Sequence, residues 1–220
     1  MESEQSAVVR RQERGRRRMA EILDAAEGVI AENGFEDATT NAIAARAGVS
    51  PGSLYQFFRN KDEILDALVP RFVQRSHGFW DAQLTEDVAR LPLPDLIDRV
   101  VDAMAAFKAD SPAYWVLFHG SPTSPRLARA AQELNGGIAD RLRALFARRV
   151  PGLPEERLDL LAKVAIAITR GVFPMIMAAG GDDRRRVLAE LKGLLLGYLG
   201  PVLGYGPVRP SGTSPEDTAD

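Results

Sequence analysis

Apolar positions recur at helical spacing along nearly the whole chain. Met19, Ile22, Leu23, Ala26, Val29 and Ile30 repeat at i, i+3, i+4 and i+7, the pattern of a helix with one buried face. Asn33-Gly34 follows, two residues that tolerate a positive φ, and predicts the end of that helix. Thr39 or Thr40 can cap a short second helix whose narrow apolar face is Ile43, Ala44 and Ala47. Gly48 interrupts it. Ser50-Pro51 then reads as a cap followed by proline at the first helical position, where its missing N–H costs nothing. A third short helix is predicted over 53–58. A longer one from Lys61 turns Ile64, Leu65, Leu68, Phe72 and Phe79 inward, with Pro70 expected to kink it by removing a backbone bond.

Leu91-Pro92-Leu93-Pro94 breaks the pattern, and further helices are predicted over 95–109, 112–119, 125–149, 154–179 and 182–203. Strand alternation is absent, so the expected fold class is all-α. The stretch 204–220, rich in Pro, Gly, Ser and Asp, has too few apolar residues to offset ordering and is expected to be a disordered tail. No stretch approaches the roughly 20 apolar residues of a membrane span.

Composition narrows the function classes. The 220 residues are 45% hydrophobic and 26% charged, an ordinary globular balance, and the absence of cysteine excludes disulfides, thiolate nucleophiles and Cys-ligated metals. No apolar segment follows the acidic and basic N-terminus at once, so a signal peptide is not expected and a cytoplasmic protein is. The net charge of −2 conceals an asymmetry, because residues 10–18 hold six arginines against one glutamate. Residues 1–15 therefore read as a disordered basic arm, a candidate for nucleic acid or another polyanion. A near-neutral chain cannot be coated in positive charge, so any DNA footprint must be local.

Two short helices separated by Ala47-Gly48-Val49-Ser50 have the tight, glycine-bearing turn that a helix-turn-helix requires. The second helix of such a pair enters the major groove with its N-terminal residues at base edges. Here those residues are Pro51, Gly52 and Ser53, too small to hold the helix away from DNA, with Tyr55 and Gln56 one turn later. Lys61, at the start of the next helix, can bind a phosphate together with the helix amides.

Gly34-Phe35, Thr39-Thr40, Ile43-Ala44, Ala47-Gly48-Val49-Ser50, Gly52, Leu54-Tyr55, Phe58, Asn60-Lys61 and Leu65 together resemble the N-terminal signature of TetR-type transcriptional regulators, over about residues 16–70. The resemblance implies an all-α homodimer with a helix-turn-helix domain over 16–70. A long helix would join it to a ligand-binding and dimerisation domain over 71–203. It further implies that Thr39 or Thr40 caps the second helix and holds phosphate, that Tyr55 and Lys61 contact phosphates, and that Ser50, Pro51, Gly52, Ser53 and Gln56 approach bases. One departure is Phe57, where many members carry Tyr or His. It loses a polar backbone contact and packs on DNA or joins the core. In this setting the arginine arm gains a supplementary phosphate or minor-groove role.

The C-terminal half is less distinctive. Leu158, Leu161, Ala165 and Ile168 on one helix, and Leu188, Leu191, Leu195 and Leu199 on the last, form stripes expected to meet their symmetry mates as a four-helix bundle. Phe79, Trp80, Met104, Phe107, Trp115, Phe118 and Phe173, with His119 and Arg170 as polar neighbours, are expected to line a cavity for an apolar or aromatic effector. Gly136-Gly137 inside a helical stretch marks a break, a close crossing or a mobile segment. None of the G-x-S-x-G, G-x-x-x-x-G-K, H-E-x-x-H and G-x-G-x-x-G motifs is present, and the two histidines, His77 and His119, offer little for a metal. The sequence thus predicts no enzyme, cofactor or membrane partner. It predicts a dimeric DNA-binding regulator, a repressor released from a two-fold symmetric operator by a small molecule. The alternative is a ligand-independent architectural DNA-binding protein.

Overall fold

The computed structural model describes residues 2–119 and 125–204, with side chains throughout except at 2–9, 11, 119 and 126. The tail expected beyond Gly204 lies outside the described residues. Those residues form ten helices and no strand: α1 Glu2–Asp37, α2 Thr40–Arg46, α3 Pro51–Tyr55, α4 Lys61–Gln83, α5 Glu86–Arg90, α6 Leu93–Ala109, α7 Pro112–His119, α8 Pro125–Arg149, α9 Glu155–Ala178 and α10 Gly181–Leu203. The expected helices of the C-terminal half are all present. The short α5, capped by Thr85, is an addition that five residues of sequence pattern are too few to announce.

The chain divides into two compact units, and they do not follow the expected division at residue 70. Unit 1 comprises Met1–Ala82 together with Ala103–Ala139, and unit 2 comprises Gln83–Asp102 with Asp140–Asp220. The core of unit 1 is built from Ile22, Ala26 and Ile30 of α1, Ile43 and Ala44 of α2, Leu54 and Phe58, and Ile64, Leu68 and Phe72 of α4. Tyr114, Leu117 and Phe118 of α7 and Leu127 and Leu134 of α8 complete it. The second half of the sequence therefore supplies part of the core that holds the helix-turn-helix.

α1 is interrupted at Gly34, whose φ of 81° and ψ of 169° lie outside the helical region. Its N-terminal part corrects the sequence reading, because the arm over 1–15 is helical from Glu2 rather than disordered. The physical reason is local. Residues 2–14 contain neither Gly nor Pro, and Glu, Gln, Ala and Arg are good helix formers. α8 likewise runs unbroken through Gly136-Gly137, and a Cβ at Gly136 would meet nothing within 4 Å, so neither a break nor a close crossing explains that glycine.

In unit 2, α9 packs on α10. Leu158, Leu161, Ala165, Leu191, Leu195 and Leu199 are buried within the single chain, so most of the stripe expected at a dimer interface is core. Only Ile168 and Leu188 of that set stay half-buried. α9 is apolar on more than one side, and the outward apolar residues are others: Leu160, Met175 and Leu194 are 48%, 59% and 52% exposed. By length and composition alone α9 could cross a membrane, its most apolar window having a mean hydropathy of 1.7. The sequence reading missed this because Lys163 and Arg170 punctuate it. Two basic groups fasten this unit internally. Arg149 donates to the carbonyls of Ala89 (2.7 Å) and Leu91 (2.6 Å), holding the end of α5, and burial lowers its pKa. Lys192 of α10 reaches Asp98 (3.2 Å) and Asp102 (2.9 Å) of α6. Burial opposes its charge, but hydrogen bonds and attraction from the two carboxylates outweigh it and raise the pKa.

Candidate nucleic-acid interface

Both short helices begin at side-chain caps the sequence anticipates. Thr39 accepts from the Ala42 amide at 3.1 Å and Ser50 from the Ser53 amide at 3.1 Å, each satisfying an amide that helix geometry leaves without a partner. Gly48, between them, has φ of 66°, a conformation costly for any residue with a Cβ. α2 is pinned on α1 through Arg46, whose guanidinium lies close over Gly28 and pairs with Glu32 at 2.7 Å. Leu54 and Phe58 then bury the inner face of α3.

The outer face of α3 carries Pro51, Gly52, Tyr55 and Gln56, all exposed, with Ser53 half-buried. The Tyr55 hydroxyl shares a hydrogen bond of 3.1 Å with the Thr40 hydroxyl, so two residues expected at phosphates stand side by side, one from each helix. Packing does not require the glycine at 52, where a Cβ would meet only the Ser50 hydroxyl, at 4.0 Å. Phe57 is half-buried and packs against the core, so the departure at that position is filled from inside.

Lys61 has an intramolecular role that the sequence reading did not include. Its ammonium turns back on α1, donating to the carbonyls of Phe35 (3.0 Å) and Glu36 (2.6 Å) and lying 4.8 Å from the Phe35 ring. Two of its three N–H groups close the end of α1 rather than facing solvent. α4 itself starts with a reciprocal cap that the sequence reading passed over: Glu63 donates its amide to Asn60 (2.9 Å) and accepts from the Arg59 amide (2.8 Å). Arg59 is 88% exposed in the turn between α3 and α4 and is a further cation at this face. A simple signal could have drawn attention to it. Residues 38–61 contain no Asp or Glu, in a chain with 30 of them, and carry Arg46, Arg59 and Lys61.

α4 is also tied to α1 further along, where Arg71 pairs with Asp24 (2.6 Å) and Arg75 with Glu27 (2.8 Å). These pairs lie beyond Pro70, and the Lys61 grip lies before it.

Of the residues expected to line a cavity, Phe79, Trp80, Met104, Phe107, Trp115 and Phe118 all belong to unit 1. Phe79 stacks on Phe107 (4.6 Å, 24°) and meets Trp80 edge-on, while Phe72, Tyr114 and Phe118 form a second group joined to the first through Phe107 and Tyr114. Ser76, one turn from Phe72 and from Trp80 on α4, is 1% exposed and its hydroxyl has no hydrogen-bond partner. Lys108 is buried as well, its ammonium 5.1 Å from the Trp115 ring. The sequence reading missed both of these polar groups. Arg170 is exposed and Phe173 fully buried, both in unit 2, and the side chain of His119 lies outside the described residues. Among the described residues no group of three or more His, Asp or Glu is placed to hold a metal.

Comparison with known proteins agrees with this geometry. Residues 22–68 match the bacterial regulatory proteins of the tetR family, and residues 92–199 match the tetracyclin repressor-like C-terminal domain. The fatty acid metabolism regulator protein of Bacillus subtilis (strain 168) is 42% identical over 59 residues, which cover 25% of this chain and 30% of that protein, under a third of its length. The HTH-type transcriptional regulator BetI of Proteus mirabilis is 26% identical over 160 residues, 71% of this chain and 78% of that protein. A TetR-family regulator from Streptomyces coelicolor superposes with a TM-score of 0.60 at 28% identity, covering 85% and 98% of the two chains. The same fold, at 21% identity, is found in Bacillus subtilis FadR in complex with stearoyl-CoA (TM-score 0.60, 81% and 98% covered) and in the SmeT–triclosan complex (0.61, 90% and 99%). The two matched domains together span well over half of the sequence, and the chain belongs to the TetR family of DNA-binding transcriptional regulators, which are not enzymes.

Proposed function

We propose that the protein is a homodimeric repressor that reads a two-fold symmetric operator with α3 and is released by an apolar or aromatic small molecule. The observation that carries the DNA-reading part is the outer face of α3. It is exposed and acid-free, small where the helix begins, and it keeps a glycine at 52 that the protein's own packing does not need. Ser53 and Gln56 read bases. Tyr55, Thr39, Thr40 and Arg59 hold phosphates, with the remaining N–H of Lys61 as a further donor. Two such helices, placed about 34–36 Å apart by the dimer, enter successive major grooves. Such a regulator works in the cytoplasm. Selection of bound sequences from a random DNA pool tests this part, with recovery of a two-fold symmetric site expected. No enrichment by folded, dimeric protein overturns it.

Leu160, Met175 and Leu194, too apolar to be left to water at about half exposure, support α9 and α10 as the face that meets a second copy, with Ile168 and Leu188 at its edge. The unpartnered hydroxyl of Ser76, one helical turn from Phe72 and from Trp80, favours an effector over a ligand-independent architectural role, because a buried hydroxyl without a partner costs about 1–3 kcal/mol that a ligand acceptor would recover. The ligand lies against Phe79, Trp80, Met104, Phe107, Trp115 and Phe118. Stearoyl-CoA and triclosan, held by two fold neighbours, are the first compounds to test for release of the selected operator.

A further inference from the structure

The helical start of α1 turns its arginines into a pattern. At about 100° per residue, Arg10, Arg14, Arg17 and Arg18 fall within an arc of about 100°, while Arg16 lies on another side of the helix. All five are exposed. The stripe is centred about 100° round from the face that Ile22, Ala26 and Val29 bury in unit 1, and its residues stay exposed. Like charges one turn apart disfavour a helix. Arg17 and Arg18 share Glu21 at 3.2 Å each, which relieves part of this repulsion. Across residues 10–21 the balance remains six arginines to two glutamates.

We infer that this stripe is a second DNA-binding element, which lies along the phosphate backbone outside the base pairs read by α3. Charge complementarity selects the occupant. A row of guanidinium groups at steps of one helical turn matches a polyanion with closely spaced phosphates, and guanidinium hydrogen-bonds phosphate oxygens in a fixed fork. The stripe contributes affinity without sequence preference, and α3 contributes the sequence. The choice of duplex DNA rests on the reading of α3 given above.

The test uses the full chain and fluorescence anisotropy on random-sequence duplex, so it does not depend on finding an operator. Arg10→Gln, Arg14→Gln and Arg17→Gln are combined, because glutamine keeps helix propensity close to that of arginine. The slope of log K against log salt is expected to fall by about 0.9 for each phosphate contact removed. Arg14→Gln alone should lower it measurably, and Arg16→Gln, the same loss of charge off the stripe, should not. On the selected operator, the triple variant should weaken binding to a duplex with long flanks and match wild type on one trimmed to the operator. Equal slopes for wild type and triple variant overturn the inference, as do equal effects of Arg14→Gln and Arg16→Gln. So does a stripe that binds anionic phospholipid vesicles while leaving duplex binding unchanged. A Ser53 or Gln56 variant that alters sequence preference while keeping the stripe-dependent slope separates this element from α3. If no operator is recovered, the random-duplex slopes still decide the role of the stripe.

Discussion

The outer face of α3 and the outer face of the α9–α10 pair are both left uncovered by the chain, and their chemistry is opposite. Around α3 the polar groups are tied locally, by the Ser50 and Thr39 caps and the Thr40–Tyr55 bond, and what faces outward is Pro51, Gly52, Tyr55 and Gln56, with no aliphatic side chain larger than proline. On α9 and α10 the large apolar residues that face outward are Leu160, Met175 and Leu194, without polar atoms except a thioether. A face of the first kind suits a hydrated, charged partner that must come close to the backbone. A face of the second kind suits a partner that removes it from water, and a second copy presents the same chemistry in return. Uncovered surface alone therefore says little about a partner. Its size and polarity decide.

The sharpest way to break this contrast is to put charge on the apolar face. Leu160→Asp combined with Leu194→Asp removes four leucines from the interface of a dimer, each contributing about 1.5–3 kcal/mol when fully buried. Dimer dissociation, read by analytical ultracentrifugation, should weaken by at least about 1,000-fold at about 1.4 kcal/mol per decade, with operator affinity lost alongside. Helicity should persist, because both residues are about half exposed in the single chain. Leu161→Ala is the control from the inward stripe. It should cost about 2–5 kcal/mol of the chain's own stability, measured by denaturant unfolding. A dimer undisturbed by the double variant would remove the distinction between the two stripes.

On the α3 side the effects are smaller. Gln56→Ala and Ser53→Ala should change base preference by about 1–3 kcal/mol at one position of the selected site. Tyr55→Phe should weaken all sequences alike by about 1 kcal/mol, having lost one hydroxyl. Lys61→Ala separates two roles. Loss of its grip on Phe35 and Glu36 should lower stability by about 1–2 kcal/mol, or about 2–8 °C in Tm for a chain of this size. Loss of its remaining donor should lower the salt slope by about 0.9. A fall in Tm with an unchanged slope would confine Lys61 to closing α1. Pro70→Ala should leave operator affinity and effector response unchanged, because the ties between α1 and α4 stand on both sides of it. A change in either would make Pro70 a point at which α4 flexes.

These effects also mark what the sequence could and could not reveal. The caps at Thr39 and Ser50, the turn at Gly48 and the helices from α6 onward are local, set by residues within a few positions of one another, and they were legible. The Lys61 grip joins residues 26 positions apart. Nothing in the pattern around Lys61 distinguishes it from a lysine facing solvent. The stripe on α9 failed for another reason. A helix apolar on several sides offers more than one plausible inner face, and only the position of α10 selects among them. At the N-terminus, charge density and helix propensity point in opposite directions and propensity prevails, while a single serine in a helix, such as Ser76, carries no signal until its surroundings are known.

The smallest expected effect lies inside unit 2 and tests whether its polar fastening matters beside its apolar faces. Lys192 bridges α10 to Asp98 and Asp102 on α6. Its pKa is raised in the folded chain, so folding favours the protonated ammonium. The contribution is then complete below the ordinary lysine pKa and is lost as pH rises through the elevated folded value. Both carboxylates are more than half exposed, and solvent screening keeps the pair to about 1 kcal/mol or less. Lys192→Met should therefore be slightly less stable than wild type at neutral pH, by denaturant midpoint, and the gap should close in strongly alkaline solution. A gap that stays constant into that range would mean that the charge of Lys192 does not supply the stability.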